Sequence, residues 1–89
     1  MLYRIIGGEY AMKIYDFQGK KNICGLRLKE ARKAKKLSQL ELAEEMQAKG
    51  ITLERDSISR IEIGTRFVAD YELMMFSQIL EKEVEWFLT

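Results

Sequence analysis

The apolar positions of the chain fall into successive helical stripes between residues 24 and 88. Cys24, Leu28 and Ala31 recur at the i, i+4, i+7 spacing that lines one face of a helix, with Arg27, Lys29, Arg32, Lys33, Lys35 and Lys36 around the remainder. The pattern predicts a helix that buries one side and stays basic elsewhere. Two start signals then coincide: Ser38 with Glu41 three residues on makes a capping box, and Leu37 with Leu42 fits a hydrophobic staple. A second helix therefore starts at Gln39 and turns Leu42, Ala43 and Met46 inward. The run Gln47 to Thr52, holding Lys49 and Gly50, breaks the pattern and reads as a turn. A third helix, from about Arg55 to Ile63, buries Ile58 and Ile61 and leaves Arg55, Asp56, Ser59 and Arg60 facing out. It stops at Gly64, a good left-handed terminator.

Beyond Gly64, residues 65–69 read as a connector, and Asp70 is the best available cap for a fourth helix built on Leu73, Phe76, Ile79 and Leu80. A last short helical segment holds Val84, Trp86, Phe87 and Leu88. Leu2 to Phe17 has another character, with apolar and aromatic residues around Gly7 and Gly8 that resemble a short hairpin signal. Residues 1–22 are thus expected to be an N-terminal extension, a β-hairpin or an extended arm, ahead of an all-α domain over 23–89. An alternative reading takes Met12 as the natural start, with residues 1–11 coming from an upstream start assignment. An intact mass that retains residues 1–11 in protein from its native source rejects it. Neither internal repeats nor low-complexity tracts occur.

Composition narrows the function classes. With 89 residues the chain makes one small domain, for which oligomerisation is an additional source of stability. Proline is absent and 47% of residues are hydrophobic, which favours packed helices over a disordered chain. The single cysteine cannot form an internal disulfide, and its place on an apolar helix face makes Cys24 a core residue. No apolar run approaches the roughly 18 residues of a membrane span, and Met1 to Ile6 lacks the length and flanks of a secretory signal, so a cytoplasmic location is expected. Histidine is absent and no glycine loop is built to cradle phosphate, so the acid, base and nucleophile sets of common enzymes are missing. Glu41, Glu44 and Glu45 fit a helix start and a solvated face better than a catalytic pair. No cluster suits a metal, and no cofactor is expected.

The net charge of +1 conceals an asymmetry. Lys20 to Lys36 holds eight basic residues against Glu30, whereas Phe67 to Thr89 holds five acids against Lys82. A basic half can meet phosphate while the acidic, apolar end is free to pack against protein.

The run LKEARKAKKLSQLELAEEM from Leu28, a longer turn, and then DSISRIEIG ending at Gly64 together resemble the lambda-repressor-like (Cro/C1-type) helix-turn-helix family. The tail VEWFL resembles that family's fifth helix, so the likeness extends over about Ile23 to Leu88. The resemblance implies a five-helix all-α domain whose third helix enters the major groove of double-stranded DNA, usually as a homodimer on paired half-sites. Ser38 and Gln39 fall where the family clamps a phosphate on the N-terminus of its second helix, with Lys36 just ahead of them. Arg55, Asp56, Ser59 and Arg60 fall on base-reading positions or beside them; a guanidinium can grip guanine O6 and N7 together, and Asp56 could accept from cytosine N4. Asp56 has a blander role open to it as an acid at a helix N-terminus. Thr65 and Arg66 match a backbone-contacting segment, and Arg32 and Glu62 occupy positions that form a structural ion pair in the family. The chain departs from the pattern at Lys36, where a glycine is frequent, at Glu54, where a serine or threonine cap is usual, at Glu81, which replaces a glycine, and at Ile63, usually polar.

The leading expectation is therefore a sequence-specific DNA-binding transcriptional regulator, a repressor acting by occupying its operator. The competing one is a protein-interaction module, for instance an antitoxin, that meets a partner protein through Tyr71, Met74, Met75, Trp86 and Phe87. Those residues also fit a core or a dimer interface.

Overall fold

Helix α1 spans Gly25–Ala34, α2 Gln39–Ala48, α3 Arg55–Ile63, α4 Asp70–Leu80 and α5 Val84–Phe87 in a computed structural model that describes residues 17–89. Among the described residues the secondary structure is otherwise limited to an isolated antiparallel bridge between Phe17 and Lys20. The hairpin expected around Gly7 and Gly8, and Met12 with it, lies outside the described residues.

The helix starts follow the local chemistry. Ser38 Oγ accepts from the Glu41 N–H at 3.0 Å while Glu41 Oε1 accepts from the Ser38 N–H at 2.8 Å, the reciprocal box expected from the spacing. At α4 the expected cap is corrected by one residue. Asp70 is already helical, and Ala69 holds the extended cap position. An alanine has no side-chain acceptor, so only half a box forms: Glu72 Oε1 accepts from the Ala69 N–H at 3.0 Å. Glu72 does this because Arg66 draws its carboxylate inward, with bonds of 3.0 and 3.1 Å to the two oxygens.

Four helices end in one motif. An N–H two or three residues past the helix reaches back five residues, from Leu37 to Arg32, Ile51 to Met46, Thr65 to Arg60 and Lys82 to Ser77, just after a residue in the left-handed region. Gly50 and Gly64 occupy that seat without penalty, but Lys36 (φ 60°) and Glu81 (φ 58°) hold it with a Cβ. Both stand where the family resemblance leads one to expect glycine. A left-handed residue with a Cβ costs about 1–2 kcal/mol, and glycine returns about 0.4–1 kcal/mol of that as extra freedom of the unfolded chain. Lys36→Gly is thus expected to stabilise the fold by about 0.5–1 kcal/mol, read as a higher denaturant midpoint with unchanged slope.

The core draws on every helix: Leu28 and Ala31 from α1, Leu42, Ala43 and Met46 from α2, Ile58 and Ile61 from α3, Phe76 and Leu80 from α4 and Phe87 from α5. Cys24 joins it, as the sequence indicates, and burial pushes its thiol pKa up, so the reactive thiolate is disfavoured. The turn after α2 begins later than the sequence pattern predicts, because Gln47 and Ala48 remain helical. It then runs to Glu54 without being slack. Leu53 is buried, Ile51 packs on the core, and Gln47 Nε2 donates to the Leu53 carbonyl at 3.2 Å. Arg32, read from the stripe as one of the basic residues around α1, is instead buried.

Two small residues set the crossing of α1 on α3. A Cβ on Gly25 would overlap the Ile61 carbonyl oxygen and lie 2.9 Å from that of Glu62, so only glycine lets the backbones meet there. Asn22 fixes the same junction, donating from Nδ2 to the carbonyls of Ile61 (3.0 Å) and Arg66 (2.8 Å) and accepting from the Gly25 N–H (2.9 Å) at Oδ1. Among the described residues no helix is long and apolar enough to cross a membrane.

Candidate functional site

Helix α3 divides cleanly by face. Ile58 and Ile61 are fully buried, while Asp56, Arg60 and Ile63 form an exposed stripe on the other side, with Ser59 half-buried beside it. Arg55 opens the helix and is also exposed. On the stripe, Arg60 donates to Asp56 Oδ2 from Nε at 3.4 Å and from a terminal nitrogen at 3.2 Å, an i, i+4 pair in solvent.

A connected polar network holds α3 to the two preceding helices. The Arg32 guanidinium meets the Glu62 carboxylate in a fork, Nε to Oε2 at 2.6 Å and the second terminal nitrogen to Oε1 at 3.1 Å, with the other terminal nitrogen on the Leu37 carbonyl at 2.8 Å. Glu62 Oε1 also accepts from Gln39 Nε2 at 2.9 Å, and Gln39 Oε1 accepts from Arg55 at 3.3 Å. The first residue of α2 is thereby bonded to both ends of α3. The ion pair expected from the resemblance forms, with Gln39 as an additional member that spacing alone does not reveal.

The residues expected at phosphate separate into two groups. Lys36, Ser38 and Thr65 are exposed, with the Ser38 hydroxyl engaged as the α2 cap and Thr65 on the turn after α3. Gln39 is half-buried in the network just described. Arg66 is tied within the protein: its guanidinium bonds both oxygens of the buried Glu72 and the Phe67 carbonyl at 2.8 Å. Its first role here is to lock the connector onto α4.

Sequence reasoning did not single out Lys20, Lys21 and Asn22 as neighbours of this region. The Lys21 N–H donates to the Gly64 carbonyl at 2.8 Å and Lys20 Nζ to that of Ile63 at 3.2 Å, which brings two cations beside the end of α3. Only the asparagine, a frequent backbone-bonding residue ahead of a helix, signals this docking locally. A partly open cavity of about 560 Å³ lies at the same junction, bounded by Lys20, Leu26, Lys29, Gln39 and Ile63.

The apolar side proposed for a protein partner is divided by the fold. Phe87 is fully buried and Met75 and Trp86 are half-buried, whereas Tyr71 and Met74 are 57% and 46% exposed. Trp86 lies between the Arg27 guanidinium and Lys82 Nζ, at 4.6 and 4.8 Å from its ring centre, and meets Phe87 edge-on. No protein-family model, curated protein or solved structure matches the chain.

Proposed function

We propose that the protein is a sequence-specific double-stranded-DNA-binding regulator, with α2 and α3 acting as a helix-turn-helix and α3 as the element that enters the major groove. The observation that carries this reading is the division of α3: two isoleucines are sealed in the core while the Arg55 and Arg60 guanidinium groups reach solvent from the same short helix. A helix so anchored can present charged donors to base edges without moving. The capped start of α2, Thr65 and the lysines of α1 supply contacts to the sugar-phosphate backbone on either side. Repression by occupancy of the operator, with a homodimer on paired half-sites, is the mode of action proposed.

Fluorescence anisotropy with DNA from upstream of the gene, across a salt series, tests the reading. The logarithm of affinity should fall linearly with that of salt, by about 0.9 per phosphate neutralised, and a scrambled duplex should bind more weakly at each salt concentration. Equal affinity for the native and scrambled duplexes rejects specific readout. The exposure of Tyr71 and Met74 favours a second use of the same fold, in which α4 meets another protein chain. Unchanged oligomeric state and partner capture after Met74→Asp would remove that use.

A further inference from the structure

We propose that Asp56 is the positioning residue that makes Arg60 a reader of guanine, a step that rests on the duplex-binding role just given. Asp56 Oδ2 accepts from Arg60 at Nε (3.4 Å) and at one terminal nitrogen (3.2 Å). That grip occupies the Nε edge of the guanidinium and leaves donors at its tip, on the two terminal nitrogens. Two tip donors side by side match O6 and N7 on the major-groove edge of guanine. An unheld arginine would be free to swing its five donors toward phosphate, and holding it beforehand removes rotamer entropy from the binding step.

The surroundings leave this arrangement uncontested. Ile63 completes the exposed stripe one turn beyond Arg60 and offers no side-chain acceptor. Arg55 is directed to Gln39 instead. Both members of the pair are well exposed, and exposed pairs contribute little to folding, so fold stability does not account for it. A carboxylate on a surface meant for phosphate also repels. Asp56 therefore weakens binding to arbitrary sequence while it aligns the residue that reads the correct one.

The test uses a duplex enriched by the full-length protein from a random pool, and a scrambled duplex of the same composition. Asp56→Ala and Asp56→Asn are expected to weaken binding to the enriched duplex about tenfold while tightening binding to the scrambled one. With Arg60→Ala already present, the Asp56→Ala change on the enriched duplex should shrink to within about twofold, because the aspartate acts through the arginine. Replacing the critical guanine by 7-deazaguanine should weaken the wild type about tenfold and Arg60→Ala little. An unchanged ratio between the two duplexes, a full Asp56→Ala penalty without Arg60, or no such guanine overturns the proposal alone. Failure of the wild type to enrich any duplex overturns it together with the duplex-binding reading.

Discussion

Glu62→Ala is expected to remove about 3–5 kcal/mol of folding stability, since it leaves a buried guanidinium without its carboxylate. The Arg32 side chain is 8% exposed and the Glu62 side chain 2% exposed, and the fork between them is the only side-chain acceptor of Arg32 among its described bonds. The same change deprives Gln39 Nε2 of its partner and so loosens the start of α2. Small domains hold about 5–15 kcal/mol in total, so the variant should be partly unfolded at room temperature or melt far below the wild type. Replacing both partners together, Arg32→Met with Glu62→Leu, should cost much less than Glu62→Ala alone, because no charge is then stranded. Urea denaturation followed by circular dichroism measures both. A Glu62→Ala loss below 1 kcal/mol would mean that water, and not the protein, satisfies Arg32.

Arg60→Ala is expected to weaken binding to the specific duplex by about 5- to 150-fold, the equivalent of the 1–3 kcal/mol of one good bidentate base contact. The side chain is 57% exposed and its described side-chain bond is to Asp56, also exposed, so the melting temperature should hardly move. Discrimination between the specific and scrambled duplexes should narrow by the same factor. A variant that loses affinity equally on both would demote Arg60 to a phosphate contact. Anisotropy on the two duplexes at one salt concentration separates these outcomes.

Periodicity and caps made the helices legible because they are local: Ser38 with Glu41, the Ile58 and Ile61 pair and Gly64 each act within a turn or so of the backbone they organise. Every apolar position assigned to the inward faces of the first three helices is buried. What escaped depends on distant partners. Arg32 is polar by type, and the helical stripe puts it among the basic residues around α1; its pairing with Glu62, thirty residues away, comes from the resemblance and not from spacing. Glu72 displaced Asp70 from the capping role because Arg66 reaches it, and Leu53 lies in a turn where no stripe marks an inward residue. Asn22 lies within the expected extension yet bonds the backbone of α1, the end of α3 and the connector, so the packed unit starts before residue 23. Among the candidate site residues, the exposed stripe on α3 was readable from spacing. The engagement of Gln39 by Arg55 and Glu62, and of Arg66 by Glu72, was not.

The sole tryptophan of the chain is the ring flanked by Arg27 and Lys82. Its emission is therefore a built-in gauge of whether the last helix is seated, needing no dye or label, since undocking would take the indole away from both cations and into water. Followed beside the ellipticity at 222 nm, that signal tells apart a chain that loses its tail early from one that melts in a single step.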